Sequence, residues 1–142
     1  MKYYSLNNKT KTISFQEAVI QGLAPDNGLY FPETITPLST SFFDEIENLS
    51  NEEIAFEVIK QFVGNEIPDA ELKNIINETL CFDFPLVSVE ENIYSLELFH
   101  GPTMAFKDVG ARFMSRCLGY FNKNNDKQVT VLVATSGDTG GA

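Results

Sequence analysis

Lys107 is the residue in this chain whose type and surroundings could do covalent chemistry. It stands in Glu97-Leu98-Phe99-His100-Gly101-Pro102-Thr103-Met104-Ala105-Phe106-Lys107-Asp108-Val109-Gly110-Ala111-Arg112-Phe113-Met114, which reads as the end of a strand, a polar turn and the first turns of a helix. Gly101-Pro102 breaks the strand, and Thr103 is the expected N-cap. Phe106, Val109, Gly110, Phe113, Met114, Cys117, Leu118 and Phe121 recur at helical spacing. On a wheel of about 100° per residue, Asp108, Arg112, Ser115, Arg116 and Gly119 share a polar stripe. Lys107 instead projects with Gly110, Ala111, Met114 and Leu118, on a face that is apolar or small. Two readings of such a lysine stand open. Its stem can pack while the ammonium snorkels to water. Alternatively it is partly desolvated, beside space left by small residues. Burial and a helix N-terminus then disfavour the ammonium, and the free amine is a nucleophile able to form a Schiff base.

A second stretch with chemistry in it closes the chain. Val129-Thr130-Val131-Leu132-Val133-Ala134 is a near-continuous apolar run, as expected of a central parallel strand buried on both faces. Ser136-Gly137-Asp138-Thr139-Gly140 follows it with hydroxyls, free backbone and, if a helix comes next, N–H groups suited to an anion. Taken alone it is equally a common glycine-rich turn. It lacks the Gly-Lys-Ser/Thr ending of a P-loop and the glycine spacing of a dinucleotide fingerprint. In open α/β sheets ligands gather beyond the carboxyl ends of the strands, where both this loop and the one leading to Lys107 would lie.

The words around these residues add a family. His100-Gly101-Pro102-Thr103-Met104-Ala105-Phe106-Lys107-Asp108 closely resembles the cofactor-lysine motif of threonine synthases, pyridoxal-phosphate (PLP) enzymes of the fold-type-II group. Gly22-Leu23-Ala24-Pro25-Asp26-Asn27-Gly28-Leu29-Tyr30-Phe31-Pro32-Glu33 and Ala134-Thr135-Ser136-Gly137-Asp138-Thr139-Gly140-Gly141-Ala142 resemble the same family, in the same order. The resemblance covers essentially the whole chain, though such enzymes are several times longer. It implies conversion of O-phospho-L-homoserine and water to L-threonine and phosphate. It implies that Lys107 carries PLP as a Schiff base, with Phe106 and Asp108 beside it in the cofactor site. Thr135, Ser136, Gly137, Asp138 and Thr139 would hold the substrate carboxylate. His100 would contact substrate or hydrogen-bond within its own turn, and Asp108 is expected to pair with Arg112 at i,i+4. The family's loop for the PLP phosphate and its partner for the pyridine nitrogen are not visible here. One rival is another fold-type-II lyase such as threonine or serine dehydratase, which typically shows a different word around the lysine. Another is a catalytically silent relative that binds a phosphorylated metabolite.

Composition bounds the rest. The chain has 142 residues, enough for one domain with a core, and a formal net charge of −10. That charge argues against nucleic acid and anionic membranes as partners but leaves room for a locally positive pocket and an anionic substrate. No run of about 18 apolar residues suggests a membrane span. The start, Met-Lys-Tyr-Tyr-Ser-Leu-Asn-Asn-Lys, has no apolar signal core. Cys81 and Cys117 are too few for a disulfide scaffold and read as reduced thiols of a cytoplasmic protein. No Cys/His cluster has metal-site spacing, and His100 is the single histidine.

The elements that must position the two loops follow in order. Lys2 to Leu6 reads as a short edge strand with a turn at Asn7-Asn8. Ser14-Phe15-Gln16-Glu17 is a capping box for a helix stopped at Gly22, and Pro25-Asp26-Asn27-Gly28 is a turn. Residues 32–40 read as irregular. Ser41 is expected to cap a helix through about Leu49. Ser50-Asn51-Glu52-Glu53 opens another, with Ile54, Ala55, Val58, Ile59 and Phe62 inward, ended by Gly64. Pro68-Asp69 opens a third, with Leu72, Ile75, Ile76 and Leu80 inward. Leu86 to Val89 and Ile93 to Phe99 suggest a hairpin, and Asn122 to Lys127 a polar loop. The expected architecture is α/β: a small helical α+β domain over 1–85, then over 86–142 the first right-handed βαβ unit of a PLP-binding domain. A chain stopping after a parallel strand is expected to be a truncated piece, inactive alone and prone to self-association.

Overall fold

The computed structural model describes residues 1–124 and 129–142, which fall into two units, Met1–Ile76 and Asn77–Ala142. The first is built on β1 (Lys2–Ser5), where Tyr3 and Ser5 are buried at alternate positions. Antiparallel β2 (Asn8–Ser14) pairs on one side, with Tyr3 opposite Ile13, and β3 (Tyr30–Pro32) on the other, with Tyr4 opposite Phe31. β1 is therefore the middle strand of a three-stranded sheet, not an edge, and the turn after it is Leu6-Asn7. β2 is mostly exposed Asn, Lys and Thr, so it carries no apolar alternation by which the sequence would reveal it.

The predicted capping box forms. Ser14 Oγ accepts from the Glu17 N–H at 3.1 Å, the Ser14 N–H donates to Glu17 at 2.8 Å, and α1 (Phe15–Gln21) follows. The Glu66 carboxylate also accepts from the Phe15 and Gln16 N–H groups, at 3.0 and 2.8 Å, satisfying further free donors of that helix end. The loop after α1 is fastened to β1 through Asp26. Its carboxylate accepts from Ser5 Oγ at 2.6 Å and from the Gly28 N–H at 2.9 Å. Gly28 is pressed so close that a Cβ there would stand 2.0 Å from Ser5 Oγ, so only glycine fits. The turn from Pro25 to Gly28 is thus tied to β1.

α2 (Thr40–Glu45) is capped by Ser39 rather than Ser41, and it tightens into a 3₁₀ turn over Ile46–Asn48 instead of running to Leu49. Ser41 Oγ lies 3.0 Å from Ser39 Oγ, while Ser39 Oγ accepts from the Phe42 N–H at 3.2 Å. α3 (Asn51–Val63) has its predicted capping box at Ser50 and Glu53 and its stop at Gly64. Its expected inward residues are half-buried, and Val63 is fully buried. With α4 (Asp69–Thr79), Val63 forms the core of this unit together with Ile67, Leu72, Ile75, Ile76 and Tyr3. The Tyr3 hydroxyl donates to the Phe62 carbonyl at 2.8 Å; burial, aided by the Glu66 charge, pushes its pKa up to about 12.

In the second unit β4 (Leu86–Glu90) and β5 (Ile93–Leu96) form the expected hairpin, with Leu86 opposite Leu96. β5 stops at Leu96, earlier than Phe99, and the Glu97 N–H donates to the Pro85 carbonyl. α5 spans Lys107–Asn122, and α6 is a single turn, Asp138–Gly141. From residue 125 the polar loop expected over 122–127 lies outside the described residues.

Residues 129–134 carry no strand, which corrects the expected βαβ unit. A parallel strand exists only as a ladder with a neighbour, and among the described residues this segment has none. Leu132 is 90 % exposed, whereas a central strand would bury it. The fold is mixed α/β, and among the described residues no helix is long and apolar enough to cross a membrane.

Candidate functional site

α5 has no side-chain cap. Phe106 occupies the N-cap position, and Thr103, the expected cap, does a different job. Its N–H and hydroxyl both donate backwards to the carboxylate of Asp108, at 3.0 and 2.7 Å. Asp108 is 1 % exposed, and the guanidinium of Arg112, its expected partner, donates instead to the Glu78 carbonyl. Burial works to raise its pKa, but the Thr103 hydroxyl and N–H overcome that and hold it below the ordinary aspartate value, with the Arg112 charge the smallest contribution. The sign of the pH effect follows. A lowered folded-state pKa means the unfolded chain binds more protons, so this stabilisation is present above the ordinary aspartate value of about 3.9 and is lost as pH falls through the lower folded value. The amide-exchange protection factor of Thr103 is therefore expected to hold from neutrality to about pH 5 and to fall in stronger acid.

Arg112 and Arg116, on the polar stripe of the wheel, turn to the segment before the hairpin. Arg112 Nη2 donates to the Glu78 carbonyl at 2.7 Å and to Cys81 Sγ at 3.1 Å, and Arg116 Nε donates to the Glu78 carboxylate at 2.8 Å. Cys117 faces inward as its spacing predicts, and burial pushes its thiol up to about 12. Cys81 is exposed. Iodoacetamide on the native chain at neutral pH is expected to label Cys81 and to spare Cys117 until denaturant is added, as read by peptide mass.

The opposite face of α5 is an open wall. A groove of about 850 Å³ is lined by Phe106, Lys107, Gly110, Ala111, Met114 and Leu118, the face the wheel assigns to Lys107, and by Val129, Val131 and Val133 across from it. That alternation of valines was in the sequence, hidden within an apolar run read as buried on both sides. Lys107 is exposed in the groove and not desolvated. Its Nζ donates to Thr139 Oγ1 at 2.6 Å, joining the two loops that the sequence singled out.

The other expected site residues are placed as follows. Phe106 is on the groove wall. Thr135 Oγ1 accepts from the Gly137 N–H at 3.4 Å, closing its own turn, and Gly137 has φ 142°, a value that favours glycine. Ser136 and Asp138 are exposed, and the helical turn expected after this loop begins at Asp138. Gly141 packs near the Thr103 side chain, where a Cβ would meet Thr103 Cβ at 3.8 Å. His100 stacks on Phe99 and shares a 2.6 Å hydrogen bond with Glu97, a partner three residues away that the motif alone did not suggest. Among the described residues no group of three His, Cys, Asp or Glu is arranged to hold a metal ion.

An exposed amine at a helix start thus faces a hydroxyl-bearing turn across an apolar groove, in a mixed α/β chain. Residues 2–80 match the family model described as "Threonine synthase N terminus", which takes in more than half of the chain. The chain belongs to the threonine synthase family. It is 42 % identical over 142 residues to threonine synthase of Escherichia coli (strain K12), covering 100 % of this chain and 33 % of that protein. It is 43 % identical over 155 aligned residues to threonine synthase of Saccharomyces cerevisiae, covering 96 % of this chain and 30 % of that one. It superposes on the crystal structure of the Escherichia coli threonine synthase with a TM-score of 0.91 at 41 % identity, over 99 % of this chain and 32 % of that one. It also superposes on a PLP-bound threonine synthase from Brucella melitensis, with a TM-score of 0.83 at 34 % identity over 90 % and 29 %. The chain thus spans about a third of the length of the relatives it matches.

Proposed function

We propose that this chain supplies the lysine side of a cytoplasmic threonine synthase active site, which converts O-phospho-L-homoserine and water to L-threonine and phosphate with PLP attached at Lys107. The observation that carries this reading is the 2.6 Å hydrogen bond from Lys107 Nζ to Thr139 Oγ1 on the wall of an apolar groove. In this reading residues 1–85 are the domain peculiar to the family, and residues 86–142 begin the PLP-binding domain of fold type II.

The residues present fit the cofactor. The groove has an amine at one end and apolar walls that suit an aromatic ring, with Phe106 beside the amine. Lys107 would hold the cofactor covalently. Asp108, with both carboxylate oxygens engaged by Thr103, would act on the site from behind rather than touch it. When bound, PLP supplies an electron sink for a carbanion. The chain's own groups do the rest. The amine of Lys107, once free, takes and returns protons at the α and β carbons of the substrate. The Thr139 hydroxyl accepts from that amine and keeps it aimed into the groove. The Thr135 to Thr139 turn presents hydroxyls and N–H groups to the substrate carboxylate. His100, steadied by Glu97, is a further substrate contact. The exposed Val129, Val131, Leu132, Val133 and Met114 would drive self-association of the isolated chain.

The test is a chimera in which this chain replaces the matching first third of the Escherichia coli enzyme, incubated with PLP, reduced with borohydride, digested and mapped by mass. A pyridoxyl group on Lys107, with phosphate released from phosphohomoserine, is the expected result. Turnover of threonine instead would point to a dehydratase. Absence of a specific adduct would remove the reading.

A further inference from the structure

Lys107 is aimed by a short piece of chain whose conformation is unfavourable by itself. Met104, three residues after Gly101, has φ 55°, the left-handed region that a side chain disfavours, and its side chain is exposed, so no packing holds it there. The turn closes with the Met104 N–H donating to the Gly101 carbonyl at 3.0 Å. Behind it stands the buried Asp108 carboxylate, one residue after the lysine. It takes both donors of Thr103 and sits so close to Gly101 that a Cβ there would be 2.4 Å from Asp108 Oδ2. Thr103 in turn faces Gly141 in the same loop that bears Thr139, the acceptor of the Lys107 ammonium. One carboxylate therefore fixes both the approach of the chain to the lysine and the surface the second loop rests on.

We propose that Asp108 is a positioning residue, which ties the turn Gly101–Ala105 to the first turn of α5 and so sets Lys107 Nζ on Thr139. The inference rests on the assignment of Lys107 as the cofactor lysine for its importance, not for its test. Asp108→Ala removes both acceptors, whereas the amide of an Asn there could still accept from the Thr103 N–H and donate to the Thr103 hydroxyl.

The probe is Lys107 itself, in the 142-residue chain with its lysines reductively ¹³C-methylated and their methyl signals assigned by Lys→Arg substitution. The Lys107 signal is expected to stand apart from those of exposed lysines such as Lys2 and Lys123. In Asp108→Ala it is expected to merge with them, and in Thr103→Ser, which keeps both donors, to stay apart. Thermal melting of each variant is measured alongside, because a merely structural role would lower the melting temperature and leave the folded chain's Lys107 signal in place. That outcome would overturn the proposal, as would a wild-type signal already merged with the others. If Asp108→Ala does not fold, Thr103→Val, which removes one of the two donors, carries the same comparison. The readout needs no cofactor, so its failure is distinct from a failure of the adduct mapping, which bears on the function.

Discussion

Lys107→Ala in the chimera is expected to lose the pyridoxyl adduct entirely and to lower kcat by about 10²–10⁴-fold, the range for removing a positioned proton-transfer group. Loss of the covalent tether adds to that. Lys107 Nζ is the cation that reaches Thr139 Oγ1 along the groove wall. Restoring charge does not restore function, so Lys107→Arg is expected to fail equally: a guanidinium stays protonated at any working pH and cannot act as nucleophile or base. Saturating-substrate kinetics and adduct mapping on the same samples check both variants. Wild-type kcat in Lys107→Ala would end the assignment.

Leu72→Ala is expected to have the largest effect on stability, about 2–5 kcal/mol. Leu72 is 1 % exposed on α4, in the core with Val63, Ile67, Ile75 and Ile76. Its truncation would leave a cavity in a closely packed interior. A loss of that size is a large part of the roughly 5–15 kcal/mol that holds an ordinary domain, and lowers the melting temperature by about 4–8 °C per kcal/mol in one of this size. Urea unfolding followed by circular dichroism measures it. Leu132→Ser is the contrast: with Leu132 90 % exposed, no change in stability is expected in this chain.

Local chemistry was legible in the sequence, and long-range chemistry was not. The capping boxes at Ser14 and Ser50 and the glycine stops at Gly22 and Gly64 are contained within a few residues, and each is found as read. The Lys107 face of α5 was readable because it depends only on helical period. What escaped depends on partners that the spacing within one element does not name. β2 is a strand because β1 and a two-residue turn make it one, despite its polar residues. Residues 129–134 have every local mark of a strand and are not one, because no ladder neighbour stands beside them. Asp108 was misjudged for a subtler reason. A wheel extends a helix's stripe to its first turn, but there the side chain can fold back past the helix end, and a threonine five residues earlier outcompetes an arginine four residues later. Glu97 beside His100 was in plain view, yet at i,i+3 outside a helix nothing in spacing alone says that the two side chains meet.

The first unit has a consequence for how the protein is made. β1 finds both strand neighbours within the first 32 residues, and the Tyr3 hydroxyl waits for the Phe62 carbonyl. Its core closes on α4, whose buried Leu72, Ile75 and Ile76 are the last residues it needs. At the usual pace of about 5–20 residues per second, a ribosome that has released residue 76 has delivered everything this unit requires. The amino-terminal sheet and its helices can therefore set while Lys107 is still inside the exit tunnel, and the exposed apolar groove wall emerges after them.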